Sequence, residues 1–209
     1  MKVVIVTAPI RPPHEIKEIK YPVDGNKTIE YDKPVRCPVN GVLSKTLKKD
    51  EQVKVIYIMT KSDNSECEQN KKAFIDELEK INNDIGAVLN YDTVEIDFDA
   101  TKQTYNKLIT DLAEKIPENA ELYTDITYGF KPEILSLFCA LRFVEEFRDA
   151  IVQYIVYGKI EFKKDDTSKT ENHKLYDITS LYYLFKLMGT MGTANAETAA
   201  ETLKNFFAM

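Results

Sequence analysis

Apolar residues recur along this chain in two rhythms. The runs "KVVIVT" (Lys2 to Thr7) and "VKVIYIMT" (Val53 to Thr60) are short and β-branched, as expected of strands buried on both faces. "TVEIDF", "ELYTDIT" and "AIVQYIVYGKIEF" read as further strands, the last as one or two. Between them the period lengthens. "SECEQNKKAFIDELEKINN" places Phe74, Leu78 and Ile81 on one helical stripe, with Ser65 as N-cap and Glu68 completing a capping box. "TKQTYNKLITDLAEKI" predicts an amphipathic helix, and a long apolar helix runs from Pro132 to about Phe147. Strand and helix alternate repeatedly, which predicts an α/β fold: a Rossmann-like, open, mostly parallel sheet with helices on both faces.

Three stretches depart from that alternation. After "APIRPP", where Pro12 and Pro13 forbid regular structure, a long excursion carries a turn signal at Asp24-Gly25 that predicts a short hairpin. The excursion ends in a short helix from Val39 to Leu47. Further on, "KKDDTSKTENHK" reads as a polar loop. Beyond it "SLYYLFKLM" and "NAETAAETLKNFFA" predict two helices joined at "GTMGT", whose glycines make an interhelical turn, since no strand feeds them as one would a phosphate loop. The expected organisation is a Rossmann-like domain over 1–165 and a small C-terminal helical segment over 166–209.

Composition narrows the function classes. Hydrophobic residues make up 44% and charged residues 30% of the 209, the balance of a globular chain. A net charge of -6 argues against a broad basic surface for duplex DNA. No apolar run reaches the ~20 residues of a membrane span, and no signal-peptide cleavage site follows the first strand, so a cytoplasmic protein is expected. Cys37, Cys67 and Cys139 are odd in number and scattered, suggesting neither disulfides nor a CxxC metal site; Cys139 is expected in the core. With two histidines, His14 and His173, a multi-histidine metal centre is not expected, and neither is a cofactor. GxGxxG, Walker A, GxSxG and HExxH patterns are all missing. Tyr154 and Tyr157 read as packing aromatics.

In open α/β sheets ligands bind beyond the carboxyl ends of the strands. That rule selects Thr7, Ala8 and Pro9 after the first strand, Thr60, Lys61 and Ser62 after the second, and Thr127, Tyr128, Gly129, Phe130 and Lys131 after "ELYTDIT". The last group is the most informative. Gly129 can adopt positive φ, Pro132 suits a first helical turn, the amides from Phe130 to Ile134 would face the crevice, and Lys131 adds a cation. Asp125, inside the strand, needs hydrogen bonds from the neighbouring loop if it is buried. Gly-Phe-Lys-Pro also fits a plain strand-to-helix turn with Lys131 in solvent.

"DITYGFKPEILSLFCALRF" resembles the Asp-[Ile/Leu]-Thr-His-Gly-Phe-Arg segment of the CARF (CRISPR-associated Rossmann fold) sensors of type III CRISPR antiviral systems. "KVVIVTAP", "IKYPVDGNKTIEYDKPV" and "VKVIYIMTKS" are similar to that family's first strand, Tyr-x-Val-Asp-Gly excursion and second strand, and the tail helices resemble the segment after its Rossmann domain. Two positions differ: Tyr128 stands where the family has His, and Lys131 where it has Arg, keeping the charge without the bidentate fork.

The resemblance implies a homodimer holding one cyclic oligoadenylate, an RNA second messenger, where two strand-end crevices meet, with cyclic tetra-adenylate the expected ring. It places Thr7 to Pro9 in the first ligand loop and Thr127 to Lys131 in the second. A metal-independent ring nuclease is a further implication, with Lys131 stabilising charge and Thr7 orienting the attack. No Arg-x4-6-His pair of a HEPN ribonuclease follows Arg142 or Arg148, so the chain is expected either to act alone or to lack a C-terminal effector domain. Two other readings stay open: a nucleotide-dependent Rossmann-like enzyme, and an adaptor whose tail helices bind a partner.

Overall fold

The alternating strands and helices assemble into one sheet in the order β2-β7-β6-β5-β1-β3-β4. A computed structural model describes residues 1–61, 66–97, 99, 101–162, 170–192 and 195–207. Its strands are β1 (Lys2–Thr7), β2 (Val23–Asp24), β3 (Gln52–Thr60), β4 (Val88–Ile96), β5 (Glu121–Asp125), β6 (Ile151–Phe162) and β7 (Thr170–Asp177). The helices are α1 (Pro38–Thr46), α2 (Glu66–Asn82), α3 (Lys102–Lys115), α4 (Lys131–Phe147), α5 (Thr179–Thr190) and α6 (Ala196–Phe207). Strands β6, β5, β1, β3 and β4 run parallel, and β7 returns antiparallel to β6. This is the expected Rossmann-like α/β architecture. Ser65, the expected cap of α2, lies outside the described residues.

Alternation along β1 feeds two cores. Val4 and Val6 face a layer that includes Val42 and Leu43 of α1, Phe74 and Leu78 of α2, and Tyr21, Ile29 and Val35 of the excursion. Val3 and Ile5 face the other, with Leu108 and Leu112 of α3, Leu137 and Leu141 of α4, and Tyr182 of α5. Each such side chain contributes roughly 1.5–3 kcal/mol by leaving water. These layers fix the sheet, and so the ends of its strands.

From β1 the chain steps outward to β3 and β4, then returns to the other side of β1 for β5 and β6. The strand order therefore reverses between β1 and β5, where the connections leaving their carboxyl ends diverge.

Three local expectations are corrected. Gly25 does take positive φ (+92°), but no hairpin forms: β2 pairs in parallel with Leu175 and Tyr176 of β7, and the excursion closes on itself through an Ile19–Val35 bridge. Residues 170–174, read as polar loop, open β7, which carries the sheet beyond residue 165. Cys139 is exposed on α4, because that helix is apolar on more faces than the core covers.

Candidate functional site

β5 stops at a buried carboxylate. Asp125, 1% exposed, accepts from the Thr127 amide at 2.8 Å through one oxygen and from the Val39 amide at 2.9 Å through the other. The first bond turns the chain out of the ladder; the second satisfies an amide of the first turn of α1, next to Pro38. Burial raises the Asp125 carboxyl above its usual range, and the bonds from Thr127 and Val39 oppose that rise. The sequence-based requirement that Asp125 accept loop hydrogen bonds is met, with a partner some 86 residues away as well as a local one.

The turn is clamped from β1. The Thr7 hydroxyl, on a residue 1% exposed, donates to the Tyr128 carbonyl at 2.5 Å and lies 3.2 Å from the Asp125 carbonyl. Gly129 follows with φ +95°. A Cβ there would sit 3.1 Å from Thr7 Cβ and 3.2 Å from the Glu133 carboxyl carbon, so glycine is demanded by both backbone and packing. The Thr127 hydroxyl oxygen accepts from the Gly158 amide at 2.8 Å. Gly158 is constrained by packing alone, since a Cβ there would come within 2.5 Å of Pro38 Cγ.

Tyr128 turns its phenol toward the excursion and donates to the Arg36 carbonyl at 3.3 Å, and burial pushes that phenol far above its usual range. Arg36 and Cys37 in turn donate their amides to Glu77 of α2, at 2.7 and 3.3 Å. Two carboxylates from different elements thus hold the start of α1 beneath the turn.

Phe130 precedes α4 and Pro132 occupies its first turn, as expected. The amides differ from expectation. The Phe130 N–H donates to Glu133 Oε2 at 3.3 Å, and the Ile134 N–H is committed to the Phe130 carbonyl at 3.1 Å. Glu133 is 3% exposed, and burial raises its carboxyl to about 7 against the opposing Phe130 bond. Sequence reasoning missed Glu133. Its signal was the spacing of a capping box, a glutamate three residues after the N-cap, concealed because the N-cap is phenylalanine. Lys131 is exposed and forms no ion pair with a described residue.

The other strand ends divide. Ala8 and Pro9 are buried; the Ala8 amide donates to Ile58, and Asn70 of α2 donates to the carbonyls of Pro9 and Arg11 at 3.1 and 2.9 Å. Thr60 is buried, while Lys61 is exposed and pairs with Asp97 at 3.2 Å. These two lie on the far side of β1 from the turn, and Ser62 lies outside the described residues. The fold therefore brings Thr7 together with Thr127 to Gly129, and leaves Thr60 and Lys61 one strand away.

A cleft of about 190 Å³ opens beside Thr127 and Tyr128, between the excursion and the end of β6. Tyr154 packs against Tyr123, ring centroids 5.5 Å apart, as expected of a packing aromatic. Tyr157 is exposed, stacks on Tyr176 and borders the cleft. Among the described residues no group of His, Cys, Asp and Glu is arranged to hold a metal ion, and no helix is long and apolar enough to cross a membrane.

From the turn, α4 leads down an uncovered apolar stripe at four-residue spacing: Leu135 (67% exposed), Cys139, Phe143 and Phe147 (70% exposed). Beside it, α5 exposes Leu181, Phe185 and Met188. The two helices are joined by Phe138 against Tyr182 and by the Tyr182 hydroxyl on Glu145 at 2.6 Å. Isolated exposed apolar residues are ordinary; a double row is not. A comparison with protein-family models and one with curated proteins both find no match for this chain.

Proposed function

We propose that this chain is a CARF-type sensor that binds a cyclic oligoadenylate, cyclic tetra-adenylate first among them, at a strand-end site shared by two copies. The observation that carries this reading is the position of the turn from Asp125 to Lys131. It stands at the strand-order reversal between β1 and β5, fixed by Thr7 and by the positive φ of Gly129, with Lys131 exposed at its end. A phosphate ligand meets a cation there that no described carboxylate neutralises.

The apolar stripes of α4 and α5 favour a second copy as partner. The α4 stripe begins at Leu135, one turn of helix after Lys131, so an isologous contact along it brings two such turns toward one axis, matching a ring with two-fold symmetry. The charges beside the stripes are compensated within the chain, Arg142 by Glu146 at 2.8 Å and Lys186 by Glu145 at 3.5 Å. Like charges therefore do not oppose the contact along the stripes, and the two uncompensated Lys131 side chains at its end are left for the phosphates of the ring.

The residues take distinct roles in this reading. Lys131 contacts phosphate. Thr7, with its hydroxyl on the Tyr128 carbonyl, is a positioning residue that holds the turn rather than the group that orients an attack. Ring cleavage is the further activity this reading allows. The ribose 2′-oxygen forms a bond to the adjacent phosphorus as the bond to the 5′-oxygen breaks, and the 2′-hydroxyl proton ends on that 5′-oxygen, leaving a 2′,3′-cyclic phosphate. Lys131 then stabilises the charge that develops on the phosphoryl oxygens.

Titration calorimetry with cyclic tetra-adenylate, followed by chromatography of the nucleotide after prolonged incubation in EDTA, tests both parts. Saturable heat is expected. Its absence removes the sensor reading, and saturable heat with an intact ring removes the nuclease alone.

A further inference from the structure

The cleft beside the turn has a chemistry of its own. Its walls are Ile16 and Ile19 from the excursion and Ile160 from β6, and it is bounded by Thr127, Tyr128 and the side-chain-free Gly158. Arg11, Glu15 and Lys17 also line it, two cations against one anion. Arg11 pairs with Glu15 at 3.9 Å, whereas Lys17 forms no ion pair with a described residue.

At about 190 Å³ the space is smaller than the ~300–1,000 Å³ of pockets that enclose whole drug-sized ligands. It suits a single ring system. Isoleucine walls favour an uncharged flat group, and the excess cation favours an anion attached to it. The cleft also opens on the carboxyl-end side of β5 and β6, beside the two turn residues Thr127 and Tyr128.

We infer that the cleft is a nucleobase slot, taking one base of a nucleotide ligand between Ile16, Ile19 and Ile160 while the attached phosphate lies toward Lys17. The ligand class rests on the sensor reading; the slot does not depend on ring cleavage or on the second copy. It assigns a task to the excursion beyond packing, because the excursion supplies two of the three isoleucines of the cleft and the cation.

Methyl and amide NMR shifts on the full chain test it with three probes: AMP, ribose 5-phosphate and cyclic tetra-adenylate. AMP is expected to shift the methyls of Ile16, Ile19 and Ile160, ribose 5-phosphate to leave them in place, and cyclic tetra-adenylate to shift them together with the amides of Thr127 to Lys131. If the cyclic ring shifts the turn amides while the isoleucine methyls stay still with every probe, the slot is wrong and the sensor reading stands. If AMP shifts the methyls but the cyclic ring binds nowhere, the slot stands and the sensor reading falls. Equal shifts from ribose 5-phosphate and AMP overturn the base assignment. Ile160→Trp, which narrows the cleft, should weaken AMP roughly tenfold or more, about 1.4 kcal/mol per decade. Lys17→Ala, on an exposed residue, provides a second variant that keeps the fold and should weaken AMP several-fold with the methyl pattern unchanged.

Discussion

Replacing Gly129 with alanine perturbs the turn at its most constrained point. A non-glycine residue at φ +95° costs about 1–2 kcal/mol in backbone strain. The added Cβ would also meet Thr7 Cβ at 3.1 Å and the Glu133 carboxyl carbon at 3.2 Å, inside ordinary contact distance. Neither neighbour can yield freely, since Thr7 is in a central strand and Glu133 is in the first turn of α4. Overpacking of this kind adds about 1–3 kcal/mol, for a total of roughly 2–5 kcal/mol. Gly25 provides the control: its φ of +92° is nearly the same, but a Cβ there meets nothing within 4 Å. Gly25→Ala should therefore show the backbone cost alone. For a chain of this length each kcal/mol lowers the melting temperature by roughly 2–4 °C. Thermal and urea unfolding of both variants beside the wild type measure the difference. Equal destabilisation by the two substitutions would refute the close packing of the turn on Thr7 and Glu133.

The Glu133 carboxyl, raised by burial from 4.5 to about 7, gives a pH signature. Its folded form binds the proton more tightly than the unfolded form, so its contribution to stability is full below about pH 4.5 and is lost as pH rises through 7. Glu133→Gln should thus stabilise the fold at pH 8 by ~2–3 kcal/mol and converge with the wild type near pH 4, read by thermal unfolding; a gain independent of pH contradicts this. Phe143→Glu should convert a dimer to a monomer by light scattering while leaving the circular dichroism unchanged, and an unaltered mass contradicts the α4 contact. Tyr128→Phe, which removes the hydroxyl bond to the Arg36 carbonyl, should cost about 0.5–1.5 kcal/mol in urea unfolding, and no change shows that the bond contributes nothing.

The parts of this molecule that were legible in sequence are those where one physical requirement dominates. Buried parallel strands need unbroken apolar runs, so β1 and β3 stood out, and a positive φ next to a helix start needs glycine, so Gly129 did too. β7 was concealed because a strand with a polar sequence, "TENHKLYD", flanked on its outer side only by the two-residue β2, has neither an apolar run nor a clean alternation. Asp24-Gly25 was recognised as a turn, but β2, which leads into it, pairs with a strand some 150 residues away, beyond what a local hairpin signal can report. Cys139 misled because a helix that is apolar on more than one face does not say which of those faces the core covers. The clamps on the turn were invisible for a related reason: Thr7 reaches Tyr128 across 121 positions and Asp125 reaches Val39 across 86, and nothing in local sequence encodes such pairs.

The central claim is that Lys131, beside the turn at the β1–β5 reversal, holds a phosphate of a ring shared by two chains. Titrating cyclic tetra-adenylate into wild-type protein and into Lys131→Ala measures it directly. The expected result is one ring per two chains, with affinity lowered roughly ten- to a hundredfold in the variant, the scale of a hydrogen bond to a charged group. Identical affinities for the two proteins, or one ring bound per chain, would contradict the account.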